Sequence, residues 1–243
     1  MFEVQKGIFA LIKIIKDKER YHFANDWLST YWHFSFDHYH DPNNMNWGPL
    51  RVFNDDIVQP SSGFPTHAHR EMEIITYVLE GELEHKDSTG GIGRIRPGEV
   101  QRMSAGTGIR HSEYNSSTDT AVHLLQMWII PAMNNLPPSY EQKQFSAEQR
   151  RGVLLPVASG RHQPETVKIH QDASIYVSDL GKSDQLTHSL ADGRRAYLFV
   201  IKGELQLNDD FSLTGGDHAR IEDEQELRFA TSDSSQILLV DLP

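Results

Sequence analysis

Hydrophobic and β-branched residues recur along this chain in short runs, broken by Gly, Pro, Asn and Asp. Glu73–Leu79, Leu83–Lys86, Ala121–Ile130, Ser174–Val177, Ala196–Ile201, Glu204–Leu207 and Gln236–Val240 are the clearest. Runs of this length, partly alternating and closely spaced, predict strands, and many short strands predict a sandwich or barrel. Helical periodicity is scarce: Glu141 to Arg150 is read as a short helix or an irregular link. The Pro- and Asn-rich stretch Pro131–Pro138 and the polar stretch Gln142–Gly152 mark a boundary. They divide the chain into a lobe of residues 1–140 and a lobe of residues 141–243.

A weak internal repeat supports the division. Tyr77-Val-Leu-Glu-Gly-Glu-Leu83 resembles Phe199-Val-Ile-Lys-Gly-Glu-Leu205, and Pro97-Gly98-Glu99 resembles Gly215-Gly216-Asp217. A strand, a glycine turn, a second strand and a second glycine with an acid is a unit that antiparallel double-barrel proteins repeat. The glycines are expected at positive φ, where other residues are strained.

With 243 residues, either lobe can bury a core. The chain has no cysteine, which excludes disulfides, thiolate metal sites and a thiol nucleophile. A formal charge of −11 argues against direct binding to nucleic-acid phosphates. Gly7–Ile15 is apolar except for Lys13, far short of the roughly 20 apolar residues of a membrane span. The charged run Lys16–Arg20 follows it with no small-residue cleavage site, so a cytoplasmic protein is expected. Residues 1–16 are expected to add a strand or an apolar contact. Gly90-Gly91-Ile92-Gly93 lacks a following helix and lysine and reads as a hairpin turn, and no nucleophile-elbow pattern is present.

Thirteen histidines direct attention to metal chemistry. In a strand, residues i and i+2 share a face. His67-Ala68-His69 therefore presents two imidazoles together, and His111-Ser112-Glu113 presents an imidazole and a carboxylate. An isolated His-x-His is most often an exposed strand pair; the framing by Gly63, Glu73, Gly81 and Pro97-Gly98 is what distinguishes this one. Three nitrogens and one oxygen suit Fe, Mn, Co, Ni, Cu or Zn and leave positions open on a six-coordinate ion.

These segments resemble the two motifs of the cupin superfamily and, more narrowly, the pirin family. The resemblance is carried by Trp32-His-Phe-Ser-Phe36, Asp41-Pro42, Asn54-Asp55-Asp56, Phe64-Pro-Thr-His-Ala-His69, Met72-Glu-Ile-Ile-Thr-Tyr-Val-Leu-Glu-Gly81 and Met103-Ser-Ala-Gly-Thr-Gly-Ile-Arg-His-Ser-Glu-Tyr-Asn115. It runs from about residue 20 to 145, is closest to the bacterial quercetinase-type pirins, and is loose in the last third. It implies an all-β bicupin of two antiparallel jelly-roll barrels with few short helices. One divalent metal, iron in most pirins, is implied in the N-terminal barrel on His67, His69, His111 and Glu113. Glu73 occupies the place of a ligand in many other cupins, but not usually in pirins, and is expected behind the ligands or in a structural role. Asp55 or Asp56 is expected to hold a ligating imidazole or to serve a turn. Phe64, Pro65, Met127 and His123 are the expected pocket lining, with His123 also readable as a satisfied core residue.

The reaction implied is dioxygen-dependent opening of a flavonol such as quercetin, with release of carbon monoxide. Glu113 is the expected general base, and a small aromatic substrate and dioxygen are the expected partners. A different class of function is a metal- or redox-sensing protein that regulates a protein partner; cupin isomerases and decarboxylases form a third. Carrying the repeat offsets across places Ser189, Ala191, Phe229 and Thr231 at the ligand positions of the second lobe, with His188 one residue away. No metal of this kind is expected there. His33, His38 and His40 are expected in packing or on the surface rather than as a second metal site, and Trp27, Trp32, Trp47 and Trp128 are expected in the core.

Overall fold

A computed structural model describes residues 11–243. The chain runs β1 (Leu11–Ile15), a one-turn helix Asp17–Glu19, β2 (Tyr21–Ala24), β3 (Leu28–Trp32), β4 (Leu50–Val58), β5 (Ser62–His69), β6 (Glu73–Glu80), β7 (Leu83–Asp87), β8 (Ile92–Ile95), β9 (Glu99–Ser104), β10 (Ile109–Asn115), β11 (Val122–Ile129) and β12 (Ser139–Gln144). After the helix Ala147–Arg150 come β13 (Leu155–Ser159), β14 (Val167–Lys168), β15 (Ser174–Leu180), β16 (Gln185–Ser189), β17 (Arg195–Leu207), β18 (Phe211–Thr214), β19 (His218–Glu222), β20 (Glu226–Ala230) and β21 (Ser235–Leu242). The short helix starts on Ser146, whose hydroxyl accepts from the Gln149 N–H. No helix among the described residues is long and apolar enough to cross a membrane.

The first lobe packs a seven-stranded sheet, in the order β12-β9-β6-β11-β4-β3-β2, on a four-stranded sheet, β5-β10-β7-β8. The second lobe repeats the plan around β19-β17-β21-β15-β13, with β16, β20 and β18 closing it. Two ends cross over. Strand β1 pairs with β19 and so belongs to the sheet of the second lobe, and β12, which spans residue 140, pairs with β9 of the first. Residues 1–10 of the segment expected to add a strand or contact lie outside the described residues.

The paired glycines behave alike. Gly81 and Gly203 have φ of +77° and +86°, and Gly98 and Gly216 have +80° and +89°. Gly81 ends one strand and Gly203 does not. The two runs expected around Gly203 form the single strand β17, which slips register near Val200–Lys202 and passes from one sheet to the other. A bulged, bent strand is how a chain turns such a corner.

The alternation of side chains decides what faces the interior of the first barrel. On β6, β4 and β11 one face looks into the first barrel, where Val58, Val78, Val122 and Leu124 pack. The other face meets the second lobe. Phe53, Ile75, Tyr77, Leu125, Met127 and Ile129 join Val157, Ile175, Tyr197, Phe199, Leu238 and Val240 in one shared core. Both faces are thus buried, with no solvent-facing side to mark the phase.

Candidate metal centre

Strands β5 and β10 are antiparallel, with His111 directly opposite His67 and Ile109 opposite His69. Opposed residues share a face, so the three imidazoles converge inside the first barrel. Their ring centroids are 4.5, 4.7 and 4.9 Å apart. Beyond His111 the register slips, and Glu113 comes opposite Phe64. Pro65 sits at that irregularity, where its missing N–H costs no ladder bond. Its carbonyl accepts the His67 Nδ1 proton at 2.8 Å, which turns the Nε2 lone pair inward.

The neighbouring strand completes the tautomer assignment. His85 and Asp87 on β7 lie opposite Glu113 and His111. His85 Nε2 donates to Asp87 Oδ2 at 3.0 Å, and His85 Nδ1 then accepts from His111 Nδ1 at 3.4 Å. Although burial opposes its ionisation, hydrogen bonds from Thr89 and His85 hold the Asp87 carboxyl below the usual carboxylate range. The relay leaves His111 Nε2 with its lone pair free. Outer groups of this kind fix the orientation and basicity of a metal-binding imidazole. The sequence reading missed His85 and Asp87, yet Leu83-Glu-His-Lys-Asp87 alternates, placing Leu83, His85 and Asp87 on one face.

The donor set fits a metal ion. Burial, then the neighbouring imidazoles, hold His69 down at about 4 and His111 at about 3, so both are neutral at pH 7. His67 Nε2 and His111 Nε2 are 3.1 Å apart with both lone pairs inward, an arrangement that favours a cation between them. Two adjacent ligands bonded at about 2.1 Å to one ion sit roughly 3 Å from each other. His69 Nε2 is buried with no partner among the described residues, and its ring lies 4.8 Å from Trp128, edge to face. The Glu113 carboxylate groups with His111 and His85 rather than with all three histidines, its ligand atom within 4.8 Å of theirs. Its Oε2 accepts from Gln126 at 2.9 Å, and Gln126 in turn accepts from Trp128 Nε1 at 3.0 Å. Replacing His85 by Phe is expected to lower metal affinity about 10–100-fold, as loss of an outer-shell partner does. Competition with a chelator measures it.

A cavity of about 700 Å³ opens above these groups. Phe64, Pro65, Trp27, Trp32, Phe36 and Trp128 supply its apolar walls, and Asn54, Asp56, Glu113 and Gln126 its polar points. Its size is within the range of small-molecule sites. Trp32, buried as expected, and the half-buried Trp27 and Trp128 line this cavity; Trp47 packs between the lobes, with Nε1 on the Ala196 carbonyl.

Four expected site residues lie elsewhere. Met127 is in the core shared by the lobes, one face away from Gln126 and Trp128. His123 points the same way and bonds Asp55 at 2.6 Å. Asp55 also pairs with Arg20, so it binds no ligating imidazole; its neighbour Asp56 faces the cavity. Glu73 also turns from the metal. It accepts from Ser104 Oγ at 2.6 Å, from His170 Nδ1 at 2.7 Å and from the His170 N–H at 2.5 Å, joining the lobes. The cause is one of phase: odd-numbered positions of β4, β6 and β11 face the second lobe.

Burial, then the charges of Asp55 and Glu113, push the Asp56 carboxyl up to about 7. A folded-state value above the unfolded one means the native state binds more protons, so stability falls as pH rises from about 4 to 7. Metal-free Asp56→Asn is therefore expected to exceed wild type in stability by about 2–4 kcal/mol at pH 8, the difference closing below pH 4. Urea unfolding at the two pH values checks this.

In the second lobe the strand register corrects the repeat alignment. Strand β16 pairs with β20 so that Leu186 opposes Phe229 and His188 opposes Leu227. If Phe229 stands for His111, then Leu186 stands for His67 and His188 for His69, not Ser189 and Ala191. His188 bonds Asp241 at 3.1 Å, and that carboxylate also binds Arg194 and Arg161. Among the described residues, the groups of three or more candidate ligands all lie in the first lobe. His33 is buried between the lobes, whereas His38 is exposed beside Asp37.

The family model "Pirin" matches residues 15–129, and a model described as the quercetinase C-terminal cupin domain matches residues 143–242. A protein of Escherichia coli strain K12 named quercetin 2,3-dioxygenase is 43% identical over 233 residues, 96% of this chain and 99% of that one. A pirin-like protein of Caulobacter vibrioides is 41% identical over 216 residues, 88% and 92% of the two chains. The crystal structure of the bacterial pirin YhhW from Escherichia coli in complex with nickel(II) superimposes with a TM-score of 0.91 at 42% identity, over 96% of this chain and 99% of that one.

Proposed function

The chain belongs to the pirin family, and from that premise we propose that its first barrel holds one divalent transition metal, with iron the first choice, and catalyses dioxygen-dependent opening of flavonols such as quercetin. The observation that carries the proposal is the convergence of three imidazoles, with Glu113 alongside, on the floor of an aromatic-walled cavity. His67, His69 and His111 are the proposed ligands and Glu113 the fourth. Bound there, the metal supplies Lewis acidity that lowers the pKa of a substrate hydroxyl.

The rest is done by the chain itself. Trp27, Phe64, Trp32 and Phe36 are placed to hold a flat aromatic molecule and to exclude water. Gln126 holds Glu113 Oε2. Oε1, with only a 3.5 Å contact to Thr76 Oγ1, is free to take the hydroxyl proton as general base. Asp56, its carboxyl pushed up to about 7 by burial, can share that proton with a second substrate oxygen.

The test is oxygen uptake and loss of quercetin absorbance on protein reconstituted separately with iron, nickel and manganese. Equal consumption of quercetin and oxygen, with carbon monoxide released, supports the reading. Loaded protein that consumes neither, in an assay where an authentic quercetinase does, overturns it and moves the function to metal-dependent partner binding.

A further inference from the structure

A second polar site lies between the lobes, away from the metal centre. Strand β1 pairs with β19 so that Lys13 stands opposite Arg220, and Ile15 opposite His218. Facing them is the loop that follows β3, with His33 and Asn44. Together they enclose a cavity of about 290 Å³.

One of its cations has no carboxylate partner among the described residues. The Arg220 guanidinium is buried, at 8% exposure, and stacks 4.7 Å from Phe34. Its Nη2 donates to the His33 carbonyl at 3.2 Å and to Asn44 Oδ1 at 2.5 Å, both neutral. Its Nε has no partner among the described residues, and it forms no ion pair there. A buried arginine without a carboxylate is costly, because desolvation is uncompensated. His218 is 1% exposed, and both of its ring nitrogens are buried without a partner among the described residues. Its ring stacks on His33 at 4.5 Å.

The other charges nearby are already engaged or lie at the rim. Arg20 is paired with Asp17 and Asp55, and it donates to His33 Nε2 at 3.1 Å. Asp217 is paired with Lys16 at 2.8 Å. Glu19 and Asp41 line the cavity without forming an ion pair to Arg220. Burial, then the charges of Arg220 and Arg20, hold the His218 imidazole well below its ordinary value. Two unused donors, Arg220 Nε–H and the one N–H of the neutral His218 ring, thus border an internal space under a positive field. Charge-assisted hydrogen bonds from such donors are the usual means of holding an oxyanion.

We propose that this inter-lobe cleft binds a small oxyanion, a phosphate or a carboxylate, between Arg220 and His218, with Lys13 at its mouth. The site is independent of the metal and of the proposed reaction. Isothermal titration of the metal-loaded protein with sodium phosphate and, separately, with sodium acetate, both at constant ionic strength in chloride, tests it and separates the two sources. Saturable binding of one anion per chain is expected for at least one of the two. His218→Phe keeps the ring stack but removes the N–H donor, and is expected to weaken binding about 10-fold or more, as is Arg220→Gln. Lys13→Gln, an exposed change that leaves the core intact, is expected to weaken it about 2–3-fold. His69→Ala, which removes a proposed metal ligand, is expected to bind the anion as wild type does. Absence of saturable binding with both anions overturns the proposal. So does undiminished affinity in a folded His218→Phe protein, or loss of binding in His69→Ala.

Discussion

Replacing His69 by Ala is expected to strip the first barrel of its metal and to abolish turnover. The residue contributes a buried Nε2 with no other partner among the described residues, so the loss is one ligand of a preformed set and not a surface group. Outer-shell changes alone cost about 10–100-fold in affinity, and losing an inner ligand is expected to exceed that range. Elemental analysis of purified protein reads the result directly, as about one metal per wild-type chain against almost none in the variant. The fold is expected to survive, because His69 is only half-buried at the cavity floor and its Cα lies in a paired strand. Metal retained at the wild-type level by His69→Ala would remove this residue from the ligand set and leave His85, His111 and Glu113, which also group together, as the alternative centre.

The second large effect falls on stability. Glu73→Ala is expected to destabilise the protein by about 3–5 kcal/mol, because one buried carboxylate serves three donors and each costs roughly 1–3 kcal/mol when left unpaired. The carboxylate is 1% exposed and receives three donors, Ser104 Oγ, His170 Nδ1 and the His170 N–H. Its removal leaves the buried Ser104 hydroxyl and the half-buried His170 donors without their acceptor. For a chain of this size the expected fall in melting temperature is roughly 6–20 °C. Metal content distinguishes the role in this structure from the ligand role that the same position has in many other cupins. Wild-type metal content at a much lower melting temperature is the expected result; lost metal at an unchanged melting temperature would overturn it. Glu73→Gln is expected to be nearly as damaging, since an amide nitrogen cannot accept from His170.

Much of the metal centre is legible from neighbouring positions in the chain. His67 and His69, or His111 and Glu113, share a face because a strand repeats every two residues, whatever surrounds it. The double-barrel plan is legible in the same way, through the runs on either side of Gly81 and Gly203. Asp55, Glu73, Met127 and His123 turn away from the cavity together. They sit on β4, β6 and β11, whose two faces are both buried, one against the metal cavity and the other against the second lobe. A half-exposed strand shows by its polar positions which side faces inward, and these strands lack that contrast.

The local pattern of the chain thus determined that it is built of strands, that it repeats, and that three histidines can meet on one metal, because each of these follows from periodicity over a few residues. Tertiary structure alone decided the phase. It turned Asp56, Gln126 and Trp128 toward the cavity in place of their neighbours. It brought His85 and Asp87 behind His111, and it placed Arg220 and His218 across from a loop about 180 residues away in sequence. Those contacts depend on cross-strand register and on sheet-against-sheet packing of the two lobes, and a side chain's nearest neighbours along the chain carry no record of either.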